Sequence, residues 1–183
     1  MFIKIKDLEV GKLPFDETLA PGTIDFGEDL EQKSPLKAAG SVELIRENRG
    51  ARKMIEDIRV VGNFSTLVEV RCARCLEPVE NRLAEAYDLL YRPQGVDAGD
   101  NDASIGEAET EIGYYRGEGL LLEDVLKEQI LLALPVKQVC RSDCKGLCPH
   151  CGRNLNAESC DCSANVPDPR WSALEDIRKK LER

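Results

Sequence analysis

The sequence holds a single histidine, His150, among 183 residues. Ser–His–Asp and Cys–His catalysis both need an imidazole as general base, so neither set has its parts here. Missing too are a phosphate-binding loop ending in Gly-Lys-Ser/Thr, a dinucleotide glycine fingerprint and a His-Glu zinc-protease motif. Carboxylates are plentiful, at 34, so no acid pair stands out as catalytic. The expectation is a protein that is not an enzyme.

No apolar run approaches the roughly 20 residues that span a bilayer. Residues 1–10 hold neither a long apolar stretch nor a small-residue cleavage site, so no export signal is read there. The chain is therefore expected in the cytoplasm, off the membrane and with reduced thiols. Aromatic residues are sparse at 5%. Basic charge is also short, with 25 Lys and Arg against a net charge of −9. That excludes broad, charge-driven binding of bare nucleic acid but leaves room for a local basic face. Charge is uneven. Six acids and no Lys or Arg lie between Asp97 and Glu111, whereas Lys137, Arg141, Lys145 and Arg153 face only Asp143 between 137 and 153. The plain meaning is solvated surface, with the cations offsetting negative charge on nearby thiolates.

Cysteine is abundant, and it is clustered. Six of eight fall in Cys140–Cys162, CRSDCKGLCPHCGRNLNAESCDC, and the other two form Cys72-Ala73-Arg74-Cys75. Cys148-Pro149-His150-Cys151-Gly152 has the form of a zinc knuckle, whose tight turn aims two sulfurs at one centre. The spacing favours two tetrathiolate sites: Cys148, Cys151, Cys160 and Cys162 in one, and Cys72, Cys75, Cys140 and Cys144 in the other. The second would fasten the upstream sheet to the cysteine-rich segment. A different division, with Cys140 and Cys144 joining Cys148 and Cys151, stays open. Two structural zinc ions are expected; a disulfide framework, an iron–sulfur cluster and a redox dithiol are the alternatives. A thioredoxin-type dithiol at Cys72 and Cys75 would need a helix to follow, and Leu76-Glu77-Pro78 turns away from one. His150, between two knuckle cysteines, should point outward.

Along the chain, alternation predicts a short strand over 1–6 and another over 41–48. Residues 11–40, with Pro14, Pro21, Pro35 and four glycines, read as turns and irregular chain with room for a short extended piece. Residues 54–61 and 64–71 flank Gly62-Asn63, which fits a two-residue hairpin. Phe64, Thr66, Val68 and Val70 share a face. A strand follows over 79–92 with Leu83, Tyr87, Leu89 and Tyr91 on one side, then an acidic loop over 93–110 and a last short strand over 112–115. Residues 120–134 form a Leu-rich helix through Leu122, Val125, Leu126, Ile130 and Ala133, ended by Pro135. A short C-terminal helix starts at Asp168-Pro169 and carries Trp171, Leu174, Ile177 and Leu181. The fold class is α+β: an antiparallel β-sheet or partial barrel with the Leu-rich helix, over residues 1–135. A cysteine-rich zinc-binding module with the short helix occupies 136–183.

Several marks occur in order: Arg71-Cys72-Ala73-Arg74-Cys75-Leu76-Glu77, an acidic middle, Leu131-Leu132-Ala133-Leu134-Pro135, Cys144-Lys145-Gly146-Leu147-Cys148-Pro149-His150-Cys151-Gly152-Arg153-Asn154-Leu155-Asn156, then Cys160-Asp161-Cys162 and Asp168-Pro169-Arg170. Together they resemble the YceD family, the large-ribosomal-subunit RNA accumulation proteins of bacteria and chloroplasts. The resemblance implies a non-enzymatic, cytoplasmic role in accumulation of 23S ribosomal RNA and in ribosome biogenesis. It carries over the matching cysteines as metal-ligand candidates and no catalytic residue. On that basis the partner is pre-ribosomal RNA or a large-subunit ribosomal protein, not a small-molecule substrate. Arg71, Arg74, Lys145 and Arg153 are the candidate contact residues. A thiol-redox or zinc-handling protein is the competing expectation.

Overall fold

The computed structural model describes residues 1–48, 54–96, 112–162 and 177. Contacts divide the chain into two units. One comprises Met1–Ala73 with Glu77–Cys140, and the other Arg74–Leu76 with Arg141–Arg183.

The first unit is built on a mixed sheet. Its strands are β2 (Leu13–Leu19), β3 (Leu30–Gln32), β4 (Leu36–Asn48), β5 (Met54–Arg71), β6 (Pro78–Pro93) and β7 (Ile112–Tyr115). The order is β2-β4-β5-β6-β7. β5 is the spine, an unbroken strand of 18 residues. It pairs with β6 on one edge and, on the other, with β4 and then β3 in succession. All these pairings are antiparallel except β6–β7, which is parallel. A second, two-stranded sheet joins β1 (Phe2–Lys4) to β8 (Gly119–Leu121). Two helices complete the described unit: α1 (Ile5–Leu8) and α2 (Leu122–Ala133).

The expected hairpin at Gly62-Asn63 is not there: the chain runs straight through it. Gly62 faces Gly40 on β4 and Tyr87 on β6, and Phe15 on β2 faces Gly40. This cross-strand row sets two glycines between two aromatic residues. A Cβ on Gly62 would come within 2.9 Å of the Tyr87 hydroxyl and 3.1 Å of Phe15 Cζ. Gly62 therefore makes room for a ring rather than for a turn. Alternation carries on through it, with Ile58, Val60, Phe64, Thr66 and Val68 all buried on one face.

Three further expectations change. Residues 11–40 contain β2, β3 and the start of β4, because proline is tolerated at the edge positions it takes here. The strand at 112–115 is not the last, since β8 follows. At the N-terminus only Phe2–Lys4 is extended, and Ile5 opens α1. The C-terminal helix expectation lies outside the described residues, apart from Ile177, which is helical and exposed. So does the acidic segment 97–111.

α2 lays Leu122, Val125, Leu126 and Ile130 into the core, with Glu123 and Asp124 in its first turn, where the helix dipole favours acid. The Met1 amino group meets Glu123. On the other face of the sheet Arg92 and Asp57 form a buried bidentate pair, at 3.2 and 3.0 Å. Tyr115 closes this end by donating its hydroxyl to the Glu56 carbonyl at 2.7 Å.

The glycine row is testable. A Cβ on Gly40 would collide with the Val61 carbonyl and lie 2.6 Å from Gly62 Cα. Because backbone cannot yield as a side chain can, Gly40→Ala is expected to destabilise by about 1–3 kcal/mol. The measurement is the urea midpoint, and an unchanged midpoint would disprove the close-approach account.

Candidate metal centres

The eight cysteines form two groups, Cys72, Cys75, Cys140 and Cys144, and Cys148, Cys151, Cys160 and Cys162. Within each group the sulfurs all lie within 4.8 Å of one another. This is the first of the two divisions that the spacing allowed.

Local backbone structure accounts for the grouping. β5 ends at Arg71, and the chain turns through 73–75 before β6. The turn is held by the Cys72 N–H donating to the Glu77 carbonyl at 2.8 Å. Leu76 takes a left-handed φ of 63°, the one such non-glycine among the described residues. The dithiol is thus flanked by two strands, whereas a thioredoxin-type pair stands at a helix N-terminus. The Ala73 N–H donates to the Gln138 carbonyl at 2.8 Å, and the Cys140 N–H points at Cys72 Sγ at 3.4 Å. N–H groups aimed at sulfur favour the thiolate, which is the form a metal needs.

In the second unit the Leu147 N–H donates to the Arg74 carbonyl at 3.0 Å. Gly146 has φ +77°, and a Cβ there would approach that same carbonyl to 3.0 Å. Only glycine suits both demands. The knuckle turn closes with Gly152 N–H to Cys148 O at 2.9 Å and Cys148 N–H to Arg153 O at 2.8 Å.

Sequence reasoning passed over the residue that stitches these turns together, Asn156. Its amide donates to Cys144 Sγ at 3.3 Å, and its Oδ1 accepts from the Lys145 N–H at 2.9 Å and from Arg141 at 2.9 Å. Asn154 Oδ1 in turn accepts from the Asn156 N–H and side-chain amide, both at 3.0 Å. The visible signal was Asn-Leu-Asn just past a knuckle, where short amides satisfy turn backbone.

The groups differ in exposure. Cys72, Cys75 and Cys144 are buried and Cys140 is exposed, whereas in the other group only Cys148 is buried and Cys151 and Cys162 are exposed. In that group the Cys151 and His150 backbone N–H groups pull the Cys148 thiol down to about 6. Cys162 is pushed up to about 12, first by its hydrogen bond with Cys151 and then by burial. Cys160 is also raised: the Cys162 N–H lowers it, but Cys148, burial and Cys151 outweigh that. Neighbouring sulfurs compete for protons, and one ionises at the others' expense. His150 is exposed.

The donor sets fit a tetrahedral thiophilic metal. Zinc–sulfur bonds of about 2.3 Å separate the ligands of one ion by about 3.8 Å, inside the spread seen in both groups. Four thiolates fill the tetrahedron and leave no position for substrate, so such a centre is structural.

The proposed contact cations divide between the units. Arg71 lies in the first and is exposed. In the second, Arg74 donates to the carbonyls of Cys144 at 2.9 Å and Ser142 at 3.3 Å, and Arg153 to that of Ser159 at 3.4 Å, with Glu158 at 3.8 Å. Lys145 is exposed, and its backbone N–H is taken by Asn156.

Sheet and sulfur groups define the class: a β-rich protein with paired four-cysteine centres. Within that class the chain belongs to the family described as large ribosomal RNA subunit accumulation protein YceD, whose model matches residues 60–178 and so takes in all eight cysteines. It is 32% identical over 144 residues to an uncharacterized protein of Mycobacterium tuberculosis, covering 74% of this chain and 67% of that one. The large ribosomal RNA subunit accumulation protein YCED homolog 1, chloroplastic, of Arabidopsis thaliana is 24% identical over 166 residues, 78% of this chain and 49% of its own length. The Zea mays protein of the same description is 26% identical over 173 residues, 80% of this chain and 55% of its own. The chain thus spans about half the length of these plant relatives. No solved structure matches it. No helix among the described residues is long and apolar enough to cross a membrane.

Elemental analysis of purified protein is expected to give about two metal ions per chain, with Cys72→Ser and Cys160→Ser each removing a different one. Asn156→Ala removes a donor to Cys144 without touching a ligand. It should weaken metal retention at that group about tenfold in a chelator competition, as loss of an outer partner does. Equal retention would deny Asn156 that role.

Proposed function

We propose that this protein is a non-enzymatic, cytoplasmic factor in accumulation of 23S ribosomal RNA and hence in large-subunit biogenesis. A zinc ion in each four-cysteine group would hold a fixed surface, and that surface would bind ribosomal RNA or a ribosomal protein. The family match over residues 60–178 carries this assignment, because it covers two thirds of the sheet spine and both sulfur groups at once. The plant relatives, described as large ribosomal RNA subunit accumulation proteins, agree with it. So does the chemistry of the donor sets, in which four thiolates would leave the metal no open coordination position.

A second reading draws on the exposure of Cys151 and Cys162. A thiol-redox or zinc-handling protein would present its reactive sulfurs in this way. Titration with a thiol reagent separates the two. If all eight cysteines react only after chelator is added, the structural role holds; fast reaction of two in the metal-loaded protein favours the second reading.

The biological test is depletion. Loss of the protein is expected to lower 23S relative to 16S ribosomal RNA, with recovery on re-expression of the wild-type chain. An unchanged ratio would overturn the assignment.

A further inference from the structure

The first unit carries a groove of about 380 Å³ that the sulfur groups do not touch. That volume is in the range that accepts a small ligand or a few side chains. Its aromatic lining includes Phe2, Tyr91 and Tyr114, and its charged lining is Asp124, Glu128 and Arg116. Two of its aromatic lining residues are well exposed, Phe2 at 50% and Tyr114 at 55%. Asp124 and Glu128 sit four residues apart on α2, so they share a face, and both are exposed. Glu128 is also the carboxylate that Tyr91 meets through a side-chain hydrogen bond.

We propose that this groove docks a cationic, extended polypeptide segment of a partner protein. The chemistry is specific in three respects. Exposed aromatic faces and carboxylates together hold a guanidinium or ammonium, by cation–π attraction and by charge. The same carboxylates repel a phosphate backbone, so nucleic acid is the wrong occupant. Arg116 stands in the turn between β7 and β8. It disfavours a second cation at its own end and offers donors to a peptide carbonyl there. The occupant therefore carries Arg or Lys toward Asp124 and Glu128 and backbone oxygen toward Arg116. A net charge of −9 supplies the long-range attraction for such a partner. This rests on the assignment above of a partner-binding factor, and it names the class of partner.

The test uses the full, metal-loaded chain and a fluorescein-labelled peptide of alternating Arg and Gly, read by anisotropy. Asp124→Asn/Glu128→Gln is expected to weaken binding about tenfold. Asp16→Asn/Glu85→Gln, outside the groove and equal in charge removed, is expected to leave affinity within about twofold. Tyr114→Ala changes no charge and should cost about three- to fivefold. Glutamine at 128 can still accept from Tyr91, and matching melting curves check that all variants are folded. Equal losses from the two charge-removing pairs would overturn the groove, since binding would then follow net charge alone. Failure of the peptide to bind, or a single-stranded RNA oligomer binding in its place and lost in the Asp124 and Glu128 variant, would overturn it too. These outcomes are independent of the depletion experiment. Normal 23S levels on depletion would sink the ribosomal assignment while the peptide data stood, and a silent groove would leave that assignment standing.

Discussion

Four sulfurs within 4.8 Å of one another cannot all carry charge unaided. The opposed shifts of Cys148 and Cys162 express that conflict: one thiol goes down to about 6 while a neighbour goes up to about 12. A dication would resolve it by turning mutual repulsion into four bonds. The need is acute after residue 140, because among the described residues the hydrophobic core cluster includes none beyond Leu134. The described part of the second unit is tight turns stitched by Asn154, Asn156 and Arg74, without an apolar interior of its own. Short segments of that kind hold their shape through metal or disulfide bonds. No disulfide joins any of the eight cysteines.

The sheet solves a different problem. β5, at 18 residues, must stay in register over its whole length while three strands share its edges. Period-two alternation fixes its inward face, and the row Phe15–Gly40–Gly62–Tyr87 locks the lateral position. A one-residue slip would put Phe15 over a side chain instead of a bare backbone. At the far end the Arg92–Asp57 pair does the same by charge: both groups are buried, and each is costly without the other. Register along β5 also fixes where the strand stops, and it stops one residue before Cys72.

Much of this was legible in residues. Clustered cysteines at knuckle spacing declared the thiol centres, since few other patterns place six sulfurs in so short a run. Leu122, Val125, Leu126 and Ile130 declared α2 by their spacing. The hairpin error was avoidable on parity alone. A two-residue turn at 62–63 pairs 61 with 64, so if Ile58 and Val60 point inward, the inward residues beyond it are Ser65, Leu67 and Glu69. The inward set is instead Phe64, Thr66 and Val68, with Val70 partly buried against the core, and only an unbroken strand keeps these on the face of Ile58. A Gly-Asn dipeptide between β-rich runs is a strong local turn signal, and here the longer pattern overrides it. β7 lying parallel to β6 had no local signal, because a parallel partner is chosen by the path of the intervening chain. The left-handed Leu76 was equally hidden: the long-range contacts of the turn impose it, and leucine has no preference for it.

Charge counted along a sequence differs from charge that a partner can meet. Four cations near the cysteines suggested a contact face for RNA or a partner protein, but the guanidinium of Arg74 is directed at two carbonyls of its own unit and that of Arg153 at another. Their first task is to satisfy the polar backbone of tight turns, where an unpaired carbonyl costs more than an exposed charge returns. Asp124 and Glu128, by contrast, stand exposed on a helix face beside exposed rings. A polyanion would compete with those carbonyls for Arg74 and Arg153, leaving Arg71 and Lys145 as its exposed contacts, whereas a cation would meet the exposed carboxylates of Asp124 and Glu128.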